Sequence, residues 1–179
     1  MLKLEEARIL AKNICDILSP CCQLIQVAGS VRREKAEVRD IDIVALPKAV
    51  DLPGGLFGVA KVHEDRVWEN LIPKALFKWG FNLEASGQEL HRFTRGEDGF
   101  QVDVYRARLK TWGVILLVRT GSKEHNVKLC SLAKSKNMML SASQGLLQGS
   151  NIVACRTEEG IFSALGLKFV EPRDREVKF

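Results

Sequence analysis

The sequence has few of the residues that bind zinc. Its 179 residues include five cysteines and three histidines. No two cysteines form a C-x-x-C pair, and no histidine stands at ligand spacing from a cysteine, which argues against a zinc site. The odd number of cysteines and their scattered positions indicate free thiols in a reducing compartment rather than a disulfide framework.

Long apolar runs are also missing. No stretch of about 18 or more apolar residues occurs, as a membrane-spanning helix would need. Glu5 and Glu6 stand where a secretion signal would have its apolar stretch. We therefore expect an intracellular protein, in the cytoplasm, a nucleoid or a viral or host compartment, that is not secreted and has no membrane partner.

The overall composition is typical of a globular protein with a hydrophobic core. Hydrophobic residues make up 46% of the chain and charged residues 27%, which is usual for such proteins. The net charge of +5 suits a polyanionic partner without requiring one. There are no internal repeats or low-complexity segments.

Hydrophobic periodicity predicts alternating helices and strands along the chain. Helices are predicted over Leu4–Leu18, Val67–Trp79 and Ser122–Ser135, and from Thr157 to Gly166. Strands are predicted at Gln23–Ala28, Asp40–Leu46, Phe81–Ala85, Gln88–Arg95 and Phe100–Arg106, with two or three short ones within Met138–Ala154. Trp112–Arg119 fits a helix or a strand, and Pro47–Arg66, with Pro53-Gly54-Gly55 at its centre, fits a loop. Trp68 and Trp79 are expected on one buried helical stripe.

The segment Gly29–Leu46 carries the strongest chemical signal. A Gly-Ser turn follows an apolar run, and its free N–H groups and hydroxyl suit a phosphate, which Arg33 could clamp. Asp40 and Asp42 project from one face of the next strand, because side chains alternate. Two carboxylates about 7 Å apart repel unless a cation lies between them. The alternative is an exposed strand edge with solvated carboxylates.

Two later stretches add polar groups to this pattern. Asp103 is a lone acid in the apolar strand Phe100–Arg106, and a solvated position on an open face is its simpler interpretation. T-G-S-K-E-H-N at Thr120–Asn126 opens a helix for which Ser122 is the expected N-cap. Lys123, Lys128 and Lys134 give that helix a positive surplus, which fits either a solvated face or contact with nucleic-acid phosphates.

Together these motifs resemble those of the X-family DNA polymerases, the group that includes DNA polymerase beta. The matching stretches are G-S-x-R-R with D-x-D, Q-V-D-V-Y around Asp103, T-G-S-K-E-H-N, and L-G-x-x-F-x-x-P-x-x-R-E at the end of the chain. The resemblance implies an α+β fold with a nucleotidyltransferase palm, built on a mixed β-sheet and helices, over residues 1–120. A small α+β thumb would follow over residues 121–179, without the lyase or fingers regions of larger members.

The resemblance also implies roles for individual residues. Asp40, Asp42 and Asp103 would be catalytic and would hold two Mg²⁺ ions, for which Mn²⁺ can substitute. The nucleotide would be bound by Gly29, Ser30, Arg33, Val118, Arg119, Gly121, Ser122 and Asn126. DNA would be bound by Lys123, Lys128 and Lys134. Val118 and Arg119 depart from the family pattern, since many members carry Tyr-Phe there.

The expected activity is that of a template-directed DNA polymerase that adds deoxynucleotides to a primer 3′-hydroxyl by a two-metal mechanism, filling short gaps in DNA repair. Its partners would be primer–template or gapped DNA and nucleoside triphosphates, and we expect a monomer. One alternative is a minimal nucleotidyltransferase that modifies a small molecule, a protein or an RNA end. A second is a catalytically inactive DNA-binding module.

Overall fold

The structure is a computed structural model that describes residues 1–53 and 59–176. Its helices are α1 (Leu4–Leu18), α2 (Gly29–Arg32), α3 (Glu64–Arg66), α4 (Ile72–Phe77), α5 (Trp112–Thr120), α6 (Lys123–Ser135) and α7 (Glu158–Ala164). The strands before α5 are β1 (Leu2–Lys3), β2 (Cys22–Val27), β3 (Glu37–Val38), β4 (Asp40–Pro47), β5 (Val50–Pro53), β6 (Val59–Val62), β7 (Phe81–Ser86), β8 (Leu90–Arg95) and β9 (Phe100–Arg106). Those after α6 are β10 (Met139–Ser141), β11 (Gly145–Gln148) and β12 (Asn151–Ala154). A π-helical turn, Val67–Leu71, joins α3 to α4.

The main sheet has five strands in the order β2-β4-β9-β8-β7. The central pair β4 and β9 is parallel, and the other neighbours are antiparallel. This mixed sheet, with helices packed on it, confirms the predicted α+β class. A separate three-stranded sheet, β10-β11-β12, follows later in the chain.

One hydrophobic core lies between the main sheet and α1. Ala7, Ala11 and Ile14 are fully buried on α1, at the three- and four-residue spacing of a helix face. Ile41 and Ile43 meet them from β4 with no exposed surface. The alternation that buries these isoleucines leaves Asp40 and Asp42 on the opposite face of the sheet.

A second core lies on that opposite face, towards the C-terminal part of the chain. It gathers α5, α6, α7 and β11, and its buried residues include Val114, Leu129 and Phe162. Val44 of β4 belongs to this core and is fully buried. Asp40, Asp42 and Val44 lie on the same face of β4, because every second side chain points the same way. The second core covers this face at Val44, and the two acids lie beside the covered part.

Two predicted features were wrong. The Pro47–Arg66 segment contains the paired strands β5 and β6 rather than a loop, and Gly54-Gly55 lies outside the described residues. Trp68 is fully buried, but Trp79 is 68% exposed. The helix ends at Phe77, so Trp79 falls on the following turn and leaves the apolar stripe. The other predicted helices and strands are found within a few residues of their expected ends, with Trp112–Thr120 as a helix.

None of the helices in the described ranges combines the length and the apolar character that a membrane crossing requires.

Candidate active site

Asp42 and Asp103 lie side by side on the two central strands. They are register partners in the parallel pairing of β4 with β9, and Asp40 pairs with Gln101 two residues earlier on each strand. The alternation of both strands therefore puts the three predicted acids on one face of the sheet. Asp103 is 3% exposed, and Asp40 and Asp42 are half-buried. The structure thus brings together the three residues that the sequence singled out.

Asp103 is held by an arginine that the sequence analysis missed. Arg92 lies opposite Asp103 in the antiparallel β8–β9 pair. Its Nε and Nη2 each donate a hydrogen bond of 2.8 Å to one oxygen of the carboxylate. Gln101 and the Tyr105 hydroxyl add longer bonds of 3.2 Å to Oδ2. A bidentate guanidinium fixes the orientation of a carboxylate as well as its charge.

Asp42 lies against the Gly-Ser turn. A Cβ atom on Gly29, whose φ is +56°, would stand 1.9 Å from Asp42 Oδ2, so only a residue without a side chain allows this approach. Burial, together with the neighbouring Asp40 and Asp103 carboxylates, raises the pKa of the Asp42 carboxyl to about 7. The face is thus short of positive charge at Asp42.

The chemistry of the three acids fits a hard divalent cation, which takes oxygen ligands and would relieve the repulsion at Asp42. Within residues 1–53 and 59–176, however, no three acidic, cysteine or histidine side chains converge closely enough to enclose a metal ion. Both oxygens of Asp103 accept hydrogen bonds from Arg92. Coordination of one ion by all three acids would require Asp103 to leave that guanidinium.

A cleft of about 720 Å³ opens beside Asp40. Ser30, Arg33 and Asp40 line it, as the predicted phosphate site requires. Arg33 is not free for a phosphate in this state, because its Nη1 donates to the Thr120 carbonyl and its Nε to Glu176. The Ser30 hydroxyl, by contrast, is buried and finds no hydrogen-bond partner in the described part of the chain.

A second cleft, of about 630 Å³, lies on the other side of Arg33. Its lining includes Val118, Arg119, Gly121 and Asn126, four of the residues predicted to bind the nucleotide. Asn126 Nδ2 donates to the Val118 carbonyl at 2.8 Å, which ties α6 to the end of α5. The Arg119 guanidinium lies 4.1 Å above the Tyr105 ring, so this cleft reaches the strand of Asp103.

Ser122 and the three lysines of α6 do not all lie at the same cleft. Ser122 is the N-cap of α6 and accepts from the His125 N–H at 3.3 Å, and its hydroxyl donates to the Arg175 carbonyl at 3.0 Å. It does not line either cleft. Lys123 and Lys134 line the second cleft, whereas Lys128 lies on another face of α6, beside Leu167.

A buried ion network joins the Gly-Ser segment to α7. Arg32 donates to both oxygens of Glu158, at 2.9 and 2.6 Å, and to the Thr120 hydroxyl at 2.7 Å. Arg175, fully buried, donates to Glu158 Oε1 at 2.7 Å. Burial alone would raise the pKa of Glu158, but the hydrogen bonds from the two arginines outweigh it and hold the pKa below its usual value. Arg32 thus helps to hold the two cores together, whereas Arg33 lines both clefts.

Comparison with known proteins agrees with this architecture. The family model described as "DNA polymerase beta thumb" matches residues 115–176. None of the curated proteins matches the chain in sequence.

Two solved structures of polymerase beta from Leishmania infantum are similar over nearly the whole chain. The ternary P/T complex is 19% identical and has a TM-score of 0.73, over 97% of this chain and 76% of that one. The ternary gap complex is 17% identical and has a TM-score of 0.78, over 98% of this chain and 71% of that one. The chain therefore has a polymerase beta-like fold, and its residues 115–176 match the model of the polymerase beta thumb.

Proposed function

We propose that this protein is a DNA polymerase of the X family that extends a primer 3′-hydroxyl with deoxynucleotides on a template, and that it fills short gaps during DNA repair. The two similar structures are titled as ternary complexes of a polymerase beta, one of them with a gap. We take DNA primer–template or gapped DNA and nucleoside triphosphates as the partners of this chain on that basis, and a palm over residues 1–120 with a thumb over residues 121–179.

The observation that carries the proposal is the position of Arg33 between two clefts. One cleft contains Ser30 and Asp40, and the other contains Val118 and Asn126. A nucleoside triphosphate has a polyanionic end and a sugar–base end, so a site for it needs a cationic cleft next to a mixed polar and apolar one. Asp40, one of the carboxylates proposed for phosphoryl transfer, lines the cationic cleft.

The reaction we propose is an in-line displacement at phosphorus. The primer O3′ attacks the α-phosphorus, a new phosphodiester bond forms, and the bond to the β-phosphate breaks to release pyrophosphate. The 3′-hydroxyl proton passes to Asp103. Ser30 donates to the phosphates, and Arg33 offsets the charge that develops on the leaving group.

Asp40, Asp42 and Asp103 would hold the two Mg²⁺ ions. When bound, Mg²⁺ lowers the pKa of the attacking hydroxyl and neutralises phosphate charge. In the metal-free state, Arg92 supplies the positive charge that Asp103 needs. We propose that Arg92 orients Asp103 until the ions bind.

The experiment is single-nucleotide addition to a labelled primer on a gapped template with Mg²⁺, compared with Asp42→Asn and Asp103→Asn. These variants keep the size of the side chain and remove its charge. We expect at least about a hundredfold loss, because a metal ion stabilises such a transition state by several kcal/mol. Asp51→Asn, an exposed acid outside the site, is the matched control and should be fully active.

Extension within tenfold of wild type in either site variant would remove these residues from the catalytic site. Transfer to an RNA end, a small molecule or a protein in place of the primer would favour the broader nucleotidyltransferase class. Binding of gapped DNA with no transfer to any of these would leave a DNA-binding module.

A further inference from the structure

The main sheet has two edge strands, β2 and β7. Within the described residues, β2 pairs only with β4, and β7 only with β8. An edge strand offers its outward N–H and C=O groups to any further strand, and proteins commonly protect such edges with charged residues or bulges. β7 has both, since the exposed Glu84 lies at its register shift. The regular part of β2, Leu24–Val27, has no charged residue and no proline, and its one irregularity lies before Leu24.

The outward backbone groups of β2 belong to Ile25 and Val27. At the end of the strand, the Ala28 N–H donates to the Asp42 carbonyl at 2.8 Å. In an antiparallel pair, residues that exchange hydrogen bonds with the partner strand alternate with residues whose N–H and C=O point away from it. Counting back from Ala28 in the observed register, Gln26 bonds to β4, whereas Ile25 and Val27 direct their backbone groups to the free edge.

A cleft of about 450 Å³ runs along this edge. It is lined by Ile25, Gln26 and Val27. Because three consecutive strand residues have side chains on both faces of a sheet, a cleft that reaches all three follows the edge of the strand. Its other wall is α1, which contributes the fully buried Ala11 and the half-buried Cys15. The edge of β2 and the side of α1 thus form a groove, which we call the α1–β2 groove.

The rim of the α1–β2 groove is mainly cationic. Arg8, Lys12 and Arg32 line it, together with one acid, Glu34. The side chains of Arg8 and Lys12 are 41% and 74% exposed. Ion pairs as exposed as theirs contribute little to stability and can exchange partners at small cost. The rim therefore suits an acidic partner.

A second copy of the chain fits this groove less well. Pairing of β2 with β2 of another copy would place the two α1 helices side by side on one face of the joined sheet. Arg8 and Lys12 would then face the same cations of the second copy, and like charges across an interface disfavour the complex. A single extended segment brings no such helix with it.

We propose that the α1–β2 groove binds an extended acidic peptide of a protein partner, which adds a sixth strand to the main sheet at β2. Backbone hydrogen bonds to Ile25 and Val27 provide affinity, and contacts with Arg8 and Lys12 select acidic side chains. The groove opens on the face of the sheet that carries α1, whereas the three acids of the candidate active site lie on the opposite face. The bound peptide therefore leaves those acids accessible, and the inference is independent of the proposed function.

The charge preference is tested by fluorescence anisotropy with two labelled peptides, acetyl-TVEVDVET-amide and its basic counterpart acetyl-TVKVKVKT-amide. We expect the acidic peptide to bind several-fold more tightly than the basic one. Lys12→Glu should reverse or abolish this preference, because the rim loses a cation and gains an acid. Lys110→Glu makes the same charge change at an exposed position outside the groove and should bind both peptides as wild type does.

The strand pairing is tested with modified peptides and with substitutions at Ile25. N-methylation of every second residue blocks the N–H groups on one edge of the acidic peptide. One methylated set should abolish binding and the other should leave it nearly unchanged, since an added strand uses a single edge. Ile25→Pro removes the outward N–H and keeps the bonds to β4. It should bind about tenfold more weakly than Ile25→Ala, which also shortens the side chain but keeps the N–H.

Each outcome supports or overturns the proposal. Absence of acidic-peptide binding up to about 1 mM, equally tight binding of the basic peptide, or the same effect from both methylated sets overturns it. If circular dichroism shows that Ile25→Pro does not fold, the methylated peptides decide the strand pairing. Sedimentation velocity without peptide tests the other occupant. A dimer of wild type that Ile25→Pro dissociates would assign the edge to a second copy and overturn the peptide.

Discussion

Arg92 and Asp103 face each other across adjacent antiparallel strands, and the guanidinium holds both oxygens of the carboxylate at 2.8 Å. The Asp103 side chain is 4% exposed and that of Arg92 43%. The pair therefore joins a buried acid to an arginine that can swing into solvent. Such a pair can open at small cost, and this property suits a carboxylate that must exchange one positive partner for another.

The first prediction concerns this exchange. Arg92→Gln should lower the stability of the metal-free protein by about 1 kcal/mol, since the pair is partly screened by solvent. Saturating Mg²⁺ should then raise the melting temperature of Arg92→Gln more than that of wild type, because no guanidinium competes for Asp103. The measurement is thermal unfolding in EDTA and in Mg²⁺. Equal Mg²⁺-induced shifts in the two proteins would show that Arg92 and metal do not compete. Arg95→Gln, on the same strand and paired with Asp98, is the control.

The second prediction concerns Asp42 and pH. Its pKa rises from 3.8 to about 7 on folding, chiefly through burial and then through Asp40 and Asp103. An acid whose pKa is raised in the folded state binds more protons there, so it lowers stability as pH increases between those two values. In EDTA, Asp42→Asn should match wild type near pH 4 and become more stable than wild type as pH rises to 8. A melting-temperature difference that does not change with pH would contradict the shift.

The third prediction concerns the buried network at Glu158. Glu158→Gln keeps the size of the side chain but leaves the fully buried Arg175 without a counter-charge, which should cost about 3 kcal/mol. Arg32→Met should cost less, because Arg175 still pairs with Glu158. Since the pKa of Glu158 is lowered in the folded protein, the difference in stability between wild type and Glu158→Gln should shrink as pH falls below the ordinary pKa of a glutamate. Chemical denaturation at several pH values measures this, and a larger loss in Arg32→Met would reverse the assigned order.

Local patterns were enough to predict most of the elements and the acidic face. On a strand with one apolar face, the alternation of Asp40, Ile41, Asp42 and Ile43 places the isoleucines in the core and the two acids on the opposite face. Arg92 could have been found in the same way. The turn at Gly96–Asp98 sets Arg95 opposite Phe100, and counting back along both strands puts Arg92 opposite Asp103. The position of Arg92 was therefore predictable from the hairpin register. It is found by pairing residues across the two strands and not from composition alone.

The ion pairs of the two arginines could not be predicted from local sequence. Arg33 and Glu176 are 143 positions apart, and Arg32 and Glu158 are 126 apart. Both pairs form because the second core packs over β4. This long-range packing is not encoded in the hydrophobic periodicity of any single segment. The metal ligation by the three acids and the assigned nucleotide contacts stay predictions, since they concern groups that bind to this surface from outside.

The fourth prediction separates the lysines of α6. Lys123 and Lys134 border the cleft of Val118 and Arg119, while Lys128 lies on a different face of the helix. Replacing Lys123 and Lys134 together by Ala should flatten the salt dependence of DNA affinity by roughly two units, about 0.9 for each lost phosphate contact. Lys128→Ala should leave the slope unchanged. Fluorescence anisotropy on gapped DNA at several salt concentrations measures both, and a flatter slope in Lys128→Ala would move the DNA path to that face.

The last prediction concerns the sugar pocket. In the X family the residues before Thr-Gly run beside the sugar of the incoming nucleotide, and here they are Val118 and Arg119. Both line the second cleft. Val118 is smaller than the Tyr of many members, and the Arg119 guanidinium lies over Tyr105. If the proposed function holds, the wall next to the sugar is therefore thinner than in those members.

We therefore expect weak rejection of ribonucleotides. A loose pocket discriminates against one hydroxyl by about 1–3 kcal/mol, or roughly 10–200-fold. Val118→Tyr should raise the ratio of kcat/KM for a deoxy- over a ribonucleoside triphosphate, and Val118→Leu should change it little, because leucine adds much less bulk. The ratio is measured on one gapped template with each protein. Discrimination well above about a thousandfold in wild type, with no gain in Val118→Tyr, would show that the backbone rather than the Val118 side chain excludes the hydroxyl.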